Sequence, residues 1–278
     1  MDYLQRAKYF RTKKRLGQNF LINEEVLTNI VDYAKLSKDD IALEIGPGVG
    51  FLTEKLVKKA GKVIAVELDK EAVDELKKLK ADNLIILNQD ILKTNISNIA
   101  GNKKIKVVAN IPYYITSPIL AHLLGEIDDL DNKNRKSISE IILMVQEEVA
   151  RRIIATEQSQ GKQYGLLSIL ARFWADCTIL RTVGRKSFYP SPKVTSALVK
   201  LTVKETPLIK LNDYTQFRKT IKAAFGQRRK NIKNALCNGG FEKDTVIKAL
   251  NALSIDENVR AEKLSIEYLG KLSEELCK

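Results

Sequence analysis

Short apolar runs alternate with amphipathic segments from residue 38 onward, and this alternation constrains the fold more than any other feature of the chain. IALEI (41–45), KVIAVEL (62–68), LIILN (84–88), IKVVAN (105–110) and EIILMV (140–145) read as buried strands. FLTEKLVKKA, KEAVDELKKLK, SPILAHLLG and QEEVARRII read as helices interleaved with them, since their apolar residues recur at helical spacing. A strand followed by a helix returns to pair in parallel, so such a series predicts a parallel sheet covered by helices on both faces. LLSILARFW (166–174) is a further apolar helix, and the β-branched runs CTILRTV (177–183) and SALVKLTV (196–203) are expected to complete the sheet. After Thr206–Pro207 the pattern becomes helical: DYTQFRKTIKAAFGQ, RRKNIKNALC, KDTVIKALNAL and SIEYLGKLSEEL follow one another with short breaks. The expected organisation is an α/β domain over residues 1–206 and a small all-helical domain over 207–278, with the polar loop 127–139 as a surface insertion.

Charge is placed unevenly. Lys and Arg number 47 against 34 Asp and Glu, a net +13. Three segments hold the excess: an N-terminal arm (1–16) with six basic residues and one acid, residues 181–204 with six and none, and residues 217–233 with seven and none. The rest of the chain is net negative. A near-neutral body with basic segments suits a polyanion, RNA or DNA; an anionic membrane fits less well, because no strongly apolar face accompanies the charge. Apolar residues make up 44% of the 278, enough for a sizeable core, yet no run approaches the roughly 18 residues of a membrane helix. The first residues have no apolar signal-peptide region, so a cytoplasmic protein is expected. Cys177, Cys237 and Cys277 are scattered, which argues against a disulfide framework or a zinc site. The lone histidine, His122, cannot build a multi-histidine metal site and is expected to be structural.

Two motifs carry chemistry. Glu44-x-Gly46-x-Gly48-x-Gly50 lies between the first strand and its helix, where a doubly wound sheet binds ligands. Glycines there let a ligand approach the backbone without a Cβ in the way. Glu67 and Asp69 end the second strand about 20 residues on, where a carboxylate can accept both hydroxyls of a ribose. The glycine pattern alone leaves a nucleotide-binding oxidoreductase or a plain strand–helix turn open. Gln89-Asp90 follows the third strand, where a side chain can meet an adenine amino group or simply cap a helix. Together Glu44, Gly46, Gly48, Glu67 and Asp90 resemble the S-adenosylmethionine pocket of a Rossmann-like methyltransferase.

Asn110-Ile111-Pro112-Tyr113 directly follows the fourth strand, at the same sheet edge. It resembles the catalytic motif of methyltransferases acting on the exocyclic amine of adenine. That amine is a poor nucleophile because its lone pair is delocalised into the ring. Two acceptors gripping its two N–H groups, the Asn110 side-chain oxygen and a backbone carbonyl at Ile111 or Pro112, would favour a pyramidal nitrogen. Pro112 stiffens the loop and Tyr113 can stack on the base. No metal is required.

The chain resembles the ribosomal RNA adenine dimethyltransferase family along nearly its whole length. Gly17-Gln18-Asn19-Phe20-Leu21, the glycine loop 43–50, the segment Asn110 to Pro118, Met144 to Ala150, Tyr164-Gly165-Leu166-Leu167-Ser168, Phe188 to Val194 and Phe225 to Lys230 match its motifs in order. The resemblance implies a Rossmann-like S-adenosylmethionine-dependent methyltransferase sheet with a small C-terminal all-helical domain. It further implies that Asn19 and Leu21 line the cofactor pocket with Gly46, Glu67, Asp90 and Asn110, and that Phe188 stacks on the target adenine opposite Tyr113. An aromatic in a proline-bounded loop is, on its own, equally a core plug. Arg218, Lys222, Arg228, Arg229 and Lys230 would grip RNA phosphates, positioning the RNA without reading its sequence.

One family branch dimethylates two adjacent adenines near the 3′ end of small-subunit ribosomal RNA during assembly; the other dimethylates one adenine of large-subunit RNA and confers macrolide resistance. The Gly-Gln-Asn-Phe-Leu start, the Tyr-Gly-Leu-Leu-Ser segment and the helical tail look more like the first. The expected partner is small-subunit ribosomal RNA in an assembly intermediate, met by a monomer without membrane or metal. An assembly factor valued chiefly for its RNA grip and a small-molecule methyltransferase are the rival readings.

Overall fold

A computed structural model describes residues 2–10, 17–101, 103–161, 163–227 and 229–278. Nine strands form, β1 (Phe20–Leu21), β2 (Ile41–Ile45), β3 (Lys62–Glu67), β4 (Leu84–Asn88), β5 (Ile105–Asn110), β6 (Ile138–Gln146), β7 (Ala175–Val183), β8 (Phe188–Tyr189) and β9 (Ser196–Val203), among the described residues. The helices up to the end of β6 are α1 (Tyr3–Tyr9), α2 (Glu24–Ala34), α3 (Thr53–Lys59), α4 (Lys70–Leu76), α5 (Ile96–Ala100), α6 (Thr116–Leu124) and α7 (Lys133–Lys136). Beyond it come α8 (Glu147–Ile154), α9 (Leu166–Trp174), α10 (Tyr214–Gly226), α11 (Ile232–Asn238), α12 (Lys243–Ala252) and α13 (Ile266–Glu275).

Seven strands make one sheet in the order β4-β3-β2-β5-β6-β9-β7. The neighbours from β4 to β6 are parallel, and β9 joins β6 antiparallel. The order reverses at β2, so the carboxyl ends of β2, β3, β4 and β5 open onto one edge, the ligand edge of doubly wound sheets. The central strands are apolar on both faces because both faces are covered: Ala42, Leu43, Val63, Ala65, Val107 and Val108 are all fully buried. The edge strand β4 departs from the expected burial, and its Ile85 is 42% exposed. Leu68 also departs, since β3 stops at Glu67 and leaves Leu68 57% exposed beside the ligand edge.

A second sheet was not foreseen: β1 pairs antiparallel with β8, Phe20 opposite Tyr189 and Leu21 opposite Phe188. Only two residues long, it carries no periodicity. Part of the expected N-terminal arm is also tied down. Asp2 caps α1 through the Gln5 N–H, and Arg6 pairs with Glu54 at 2.5 Å with its guanidinium over the Phe51 ring. Residues 11–16 of that arm lie outside the described residues.

The chain divides into two compact units, Met1–Gly125 with Asn132–Ala150 and Asp176–Val203, and Glu126–Asp131 with Arg151–Ala175 and Lys204–Lys278. The second therefore gathers α9 and the segment 126–131 with the C-terminal helices. Its core is aromatic: Phe173 packs against Trp174, Phe217 and Tyr214, and Trp174 donates its indole N–H to the Glu126 carbonyl. Helix α11 begins at Ile232, later than the expected residue 228, because Asn231 caps it by accepting the Asn234 N–H; Asn at a helix start competes for the backbone in this way. The loop 127–139 is less superficial than its polarity suggests. Asn132 caps the short α7, and Arg135, only 3% exposed, donates to the Leu124 carbonyl at 2.8 Å.

Candidate active site

One cleft runs along the carboxyl edge of the first unit's sheet, lined by the Gly17–Leu21 segment, the turn after β2, the ends of β3 and β4, and the loop after β5. The turn after β2 is held by two carboxylates. Glu67, ending β3, accepts the Gly48 N–H at 2.9 Å and the Asp69 N–H at 2.8 Å. Glu44, 1% exposed, accepts the Thr53 hydroxyl at 2.6 Å at the start of α3. Gly46 donates its N–H to the Val66 carbonyl, tying the turn to β3. Gly48 has φ of +56°, and a Cβ there would meet the Phe20 ring at 2.8 Å, so the turn demands glycine on both counts.

Burial dominates the electrostatics. Desolvation pushes the Glu44 carboxyl up to about 8, against the pull of the Thr53 hydroxyl and with a further push from Glu67. Desolvation also raises Glu67, although the N–H groups of Asp69 and Gly48 oppose it. Asp90 follows β4 and lines the cleft; its Oδ1 caps the next turn through the Leu92 N–H at 3.0 Å. Asp90 therefore acts as a cap and also lines the cleft, since a carboxylate has two oxygens. Gln89 turns to the Thr94 hydroxyl.

The loop after β5 is pinned at several atoms. Asn110 ends the strand and donates its Nδ2–H to the Asn19 carbonyl at 3.0 Å. A carbonyl can only accept, so this bond fixes which end of the Asn110 amide is nitrogen. Asn19 in turn donates its side-chain amide to the Gly17 carbonyl. Pro112 accepts the Ile115 N–H at 3.2 Å through its carbonyl. Tyr113 is half-buried, its hydroxyl 2.5 Å from the Ser196 hydroxyl, and burial raises its phenol. Ser196 and Thr53 were missed in the sequence: single hydroxyl residues in strand and helix starts carry no signal. Tyr114, 61% exposed at the cleft wall with its ring against Gly17, was passed over too, although its place in the Asn-x-Pro-Tyr-Tyr run marked it.

Asn19, Leu21, Glu44, Gly46, Gly48, Glu67, Asp90, Asn110, Pro112 and Tyr113 all line this one cleft. Phe188 does not: it is 3% exposed, clustered in the core with Phe20, Leu21, Met144 and Leu198. The pairing of β8 with β1 turns its ring inward, so stacking opposite Tyr113 requires the ring to leave that core. His122 is structural in its contacts, its Nε2 lying 2.9 Å from the Thr94 carbonyl. Among the described residues no group of three or more His, Cys, Asp and Glu could hold a metal ion.

In the second unit Arg229, Lys230 and Lys222 are exposed. Arg228 lies outside the described residues. Arg218 departs from a free phosphate grip: its guanidinium pairs with Glu126 at 2.9 Å and Asp128 at 3.3 Å, and Lys222 is 4.0 Å from Glu126. Asp128 comes from the loop 127–139 read as a polar insertion, and Glu126 directly precedes it.

A doubly wound sheet with a glycine turn, strand-end carboxylates and an Asn-x-Pro-Tyr loop at one edge defines a Rossmann-like S-adenosylmethionine-dependent methyltransferase. The model of the ribosomal RNA adenine dimethylase family matches residues 9–278, and the chain belongs to that family. It is 41% identical over 272 residues to the ribosomal RNA small subunit methyltransferase A of Clostridium acetobutylicum, covering 96% of this chain and 94% of that protein. The protein of the same name from Bacillus pumilus is 40% identical over 280 residues, covering 97% and 92%. Among solved structures, a dimethyladenosine transferase from Plasmodium falciparum superimposes with a TM-score of 0.74 at 29% identity, covering 90% of this chain and 94% of that one. The 23S rRNA methyltransferase ErmE gives 0.69 at 25% identity, covering 94% and 100%.

The residues present fit the methyl donor, S-adenosylmethionine. Gly46 leaves its backbone open at the cleft, and the carboxylates of Glu67, which ends β3, and Asp90, which follows the neighbouring β4, line it with acceptor capacity for hydroxyl and amino groups.

Proposed function

We propose that this chain transfers methyl groups from S-adenosylmethionine to the exocyclic amino nitrogens of two adjacent adenines near the 3′ end of small-subunit ribosomal RNA, dimethylating each during subunit assembly. The small-subunit relatives are 41% and 40% identical over more than nine-tenths of both chains, against 25% for the 23S rRNA methyltransferase, which favours this branch over large-subunit methylation.

The fixed amide of Asn110 carries the chemical reading. Its nitrogen is committed to the Asn19 carbonyl, so Oδ1 is the atom left to accept from the adenine amine. The carbonyl of Pro112 already accepts the Ile115 N–H, which makes the Ile111 carbonyl the better second acceptor. Two acceptors on the two N–H groups localise the nitrogen lone pair. When bound, S-adenosylmethionine would supply an electrophilic sulfonium methyl, and the Asn110 and Ile111 acceptors would orient the amine to receive it. Each transfer would form one N–C bond as the S–C bond to the methyl breaks, the sulfur leaving as the neutral thioether of S-adenosylhomocysteine, and the methylated amine would lose one proton to water. Tyr113 supports one face of the extruded base. Glu67 accepts the ribose hydroxyls of the cofactor, Asp90 its adenine amine, and Asn19, Leu21, Gly46 and Gly48 form the surrounding wall.

The domain over 207–278 holds RNA through exposed cations such as Arg229 and Lys230, while 1–206 carries the chemistry. The working form is a cytoplasmic monomer acting on an assembly intermediate. The test is nucleoside analysis of small-subunit RNA after incubation with wild type or Asn110→Ala. Dimethyladenosine with wild type and its absence with the variant, at retained cofactor binding, supports the reading; equal yields overturn it.

A further inference from the structure

We propose that Ser196 is a positioning residue for methyl transfer: its hydroxyl pins the far end of the Tyr113 ring, holding the ring face toward the base. The proposal rests on the reading of Tyr113 as a wall of the base pocket.

Three observations carry it. The two hydroxyls lie 2.5 Å apart, and Ser196 is fully buried, so no water competes for the bond. Ser196 sits on a rigid support. It is the first residue of β9 and pairs with Gln146, the last residue of β6, while Asn110 ends β5 opposite Met144 of the same strand. The carbonyl just before it, that of Thr195, accepts the Glu147 N–H at 3.0 Å. The near end of Tyr113 is held as well, since its carbonyl accepts the Thr116 hydroxyl at 3.2 Å. Tyr113 is therefore held at its hydroxyl, by a residue 83 positions away in sequence, and at its backbone carbonyl, beside the amide that grips the amine.

A phenylalanine would fill the same space. The hydroxyl pair adds directional control over where the ring lies, and positioned aromatic walls lose rate when they slacken. Removing Ser196 also leaves the Tyr113 hydroxyl in a dry site without its partner, which drives the ring toward other positions.

The test is a double-mutant cycle of wild type, Ser196→Ala, Tyr113→Phe and the double variant. Single-turnover transfer to unmethylated small subunits is measured at saturating cofactor, with cofactor affinity measured by calorimetry. Ser196→Ala should slow transfer about tenfold while leaving cofactor affinity within about twofold, and it should cause no further loss in the Tyr113→Phe background. Equal losses in both backgrounds, no loss in the wild-type background, or weakened cofactor binding would overturn the proposal. If Ser196→Ala does not fold, Tyr113→Phe alone deletes the same hydrogen bond; wild-type transfer by it overturns the proposal, and a similar loss supports it. Tyr113→Ala separates the underlying reading: wild-type transfer by that variant removes Tyr113 from the base pocket, whereas its inactivity with additive losses in the cycle defeats only the role of Ser196.

Discussion

The side-chain amide of Asn110 donates to the backbone carbonyl of Asn19 at 3.0 Å, joining residues 91 apart in sequence. The N-terminal Gly-Gln-Asn-Phe-Leu segment thus orients the side chain proposed to grip the adenine amine. A backbone acceptor cannot be altered by a side-chain change at Asn19, so the bond is tested from the Asn110 side. Asn110→Asp replaces the donor with a carboxylate that faces a carbonyl. Both Asn110→Asp and Asn110→Ala should slow transfer by about 10²–10³-fold, the scale of losing one oriented group in a preorganised site. Cofactor affinity by calorimetry should change far less than single-turnover rate.

Gly48→Ala should weaken both the fold and the cofactor turn. Its φ of +56° and the 2.8 Å approach of the Phe20 ring act in the same direction. The left-handed conformation alone costs about 1–2 kcal/mol for an alanine, and denaturant melts with cofactor titrations read the two effects separately.

Glu44 makes stability depend on pH with a definite sign. Burial raises its carboxyl from an ordinary 4.5 to about 8. Between those values the folded chain keeps a proton that the unfolded chain has released. Its contribution is therefore complete below about pH 4.5 and is lost as pH climbs to about 8, with a slope of at most about 1.4 kcal/mol per pH unit. Burial shifts Glu67 upward too, which acts with the same sign. Denaturant unfolding at pH 5, 6.5 and 8 should show a shallower decline for Glu44→Gln than for wild type; identical slopes would contradict the assignment.

Phe188 and Tyr113 separate by what their loss does. Phe188 sits in the core cluster, so Phe188→Ala should lower stability by about 3–5 kcal/mol. Phe188→Leu, which keeps much of the volume, should retain transfer in proportion to its folded fraction. A well-folded Phe188→Leu that binds cofactor yet transfers no methyl would show that the ring leaves the core to meet the base.

The basic residues of the helical unit should differ in their effect on salt dependence. Arg229 and Lys230 are exposed, whereas Arg218 is paired with Glu126 and Asp128. Replacing Arg229 and Lys230 with alanine should lower the slope of log affinity against log salt by about two, roughly one per phosphate contact. Arg218→Ala should change it less, because that cation is already neutralised within the protein. Fluorescence titrations of RNA at several salt concentrations read these slopes.

Much of the sheet was legible because its strands are written as short, nearly continuous apolar runs bounded by turns or helices. The limits of β2, β4, β5 and β9 coincide with IALEI, LIILN, IKVVAN and SALVKLTV. The cleft was legible because its turn and loop follow strand ends directly, and sequence order then sets position along the edge. The β1–β8 ribbon was not, since two residues on each side show no period. Nor was the pairing of Tyr113 with Ser196, or of Arg218 with Glu126, because each depends on how distant segments return in space. The inward turn of Phe188 follows from the same ribbon. Motif spacing identified the residue, and only tertiary pairing decides which way its ring points.

The most direct measurement uses labelled S-adenosylmethionine with unmethylated small subunits and, in parallel, large-subunit RNA, followed by nucleoside analysis. The account predicts dimethyladenosine in the small subunits, approaching four methyl groups per particle, and none in the large-subunit RNA. Label confined to the large-subunit RNA, or to neither acceptor despite cofactor binding, would contradict it.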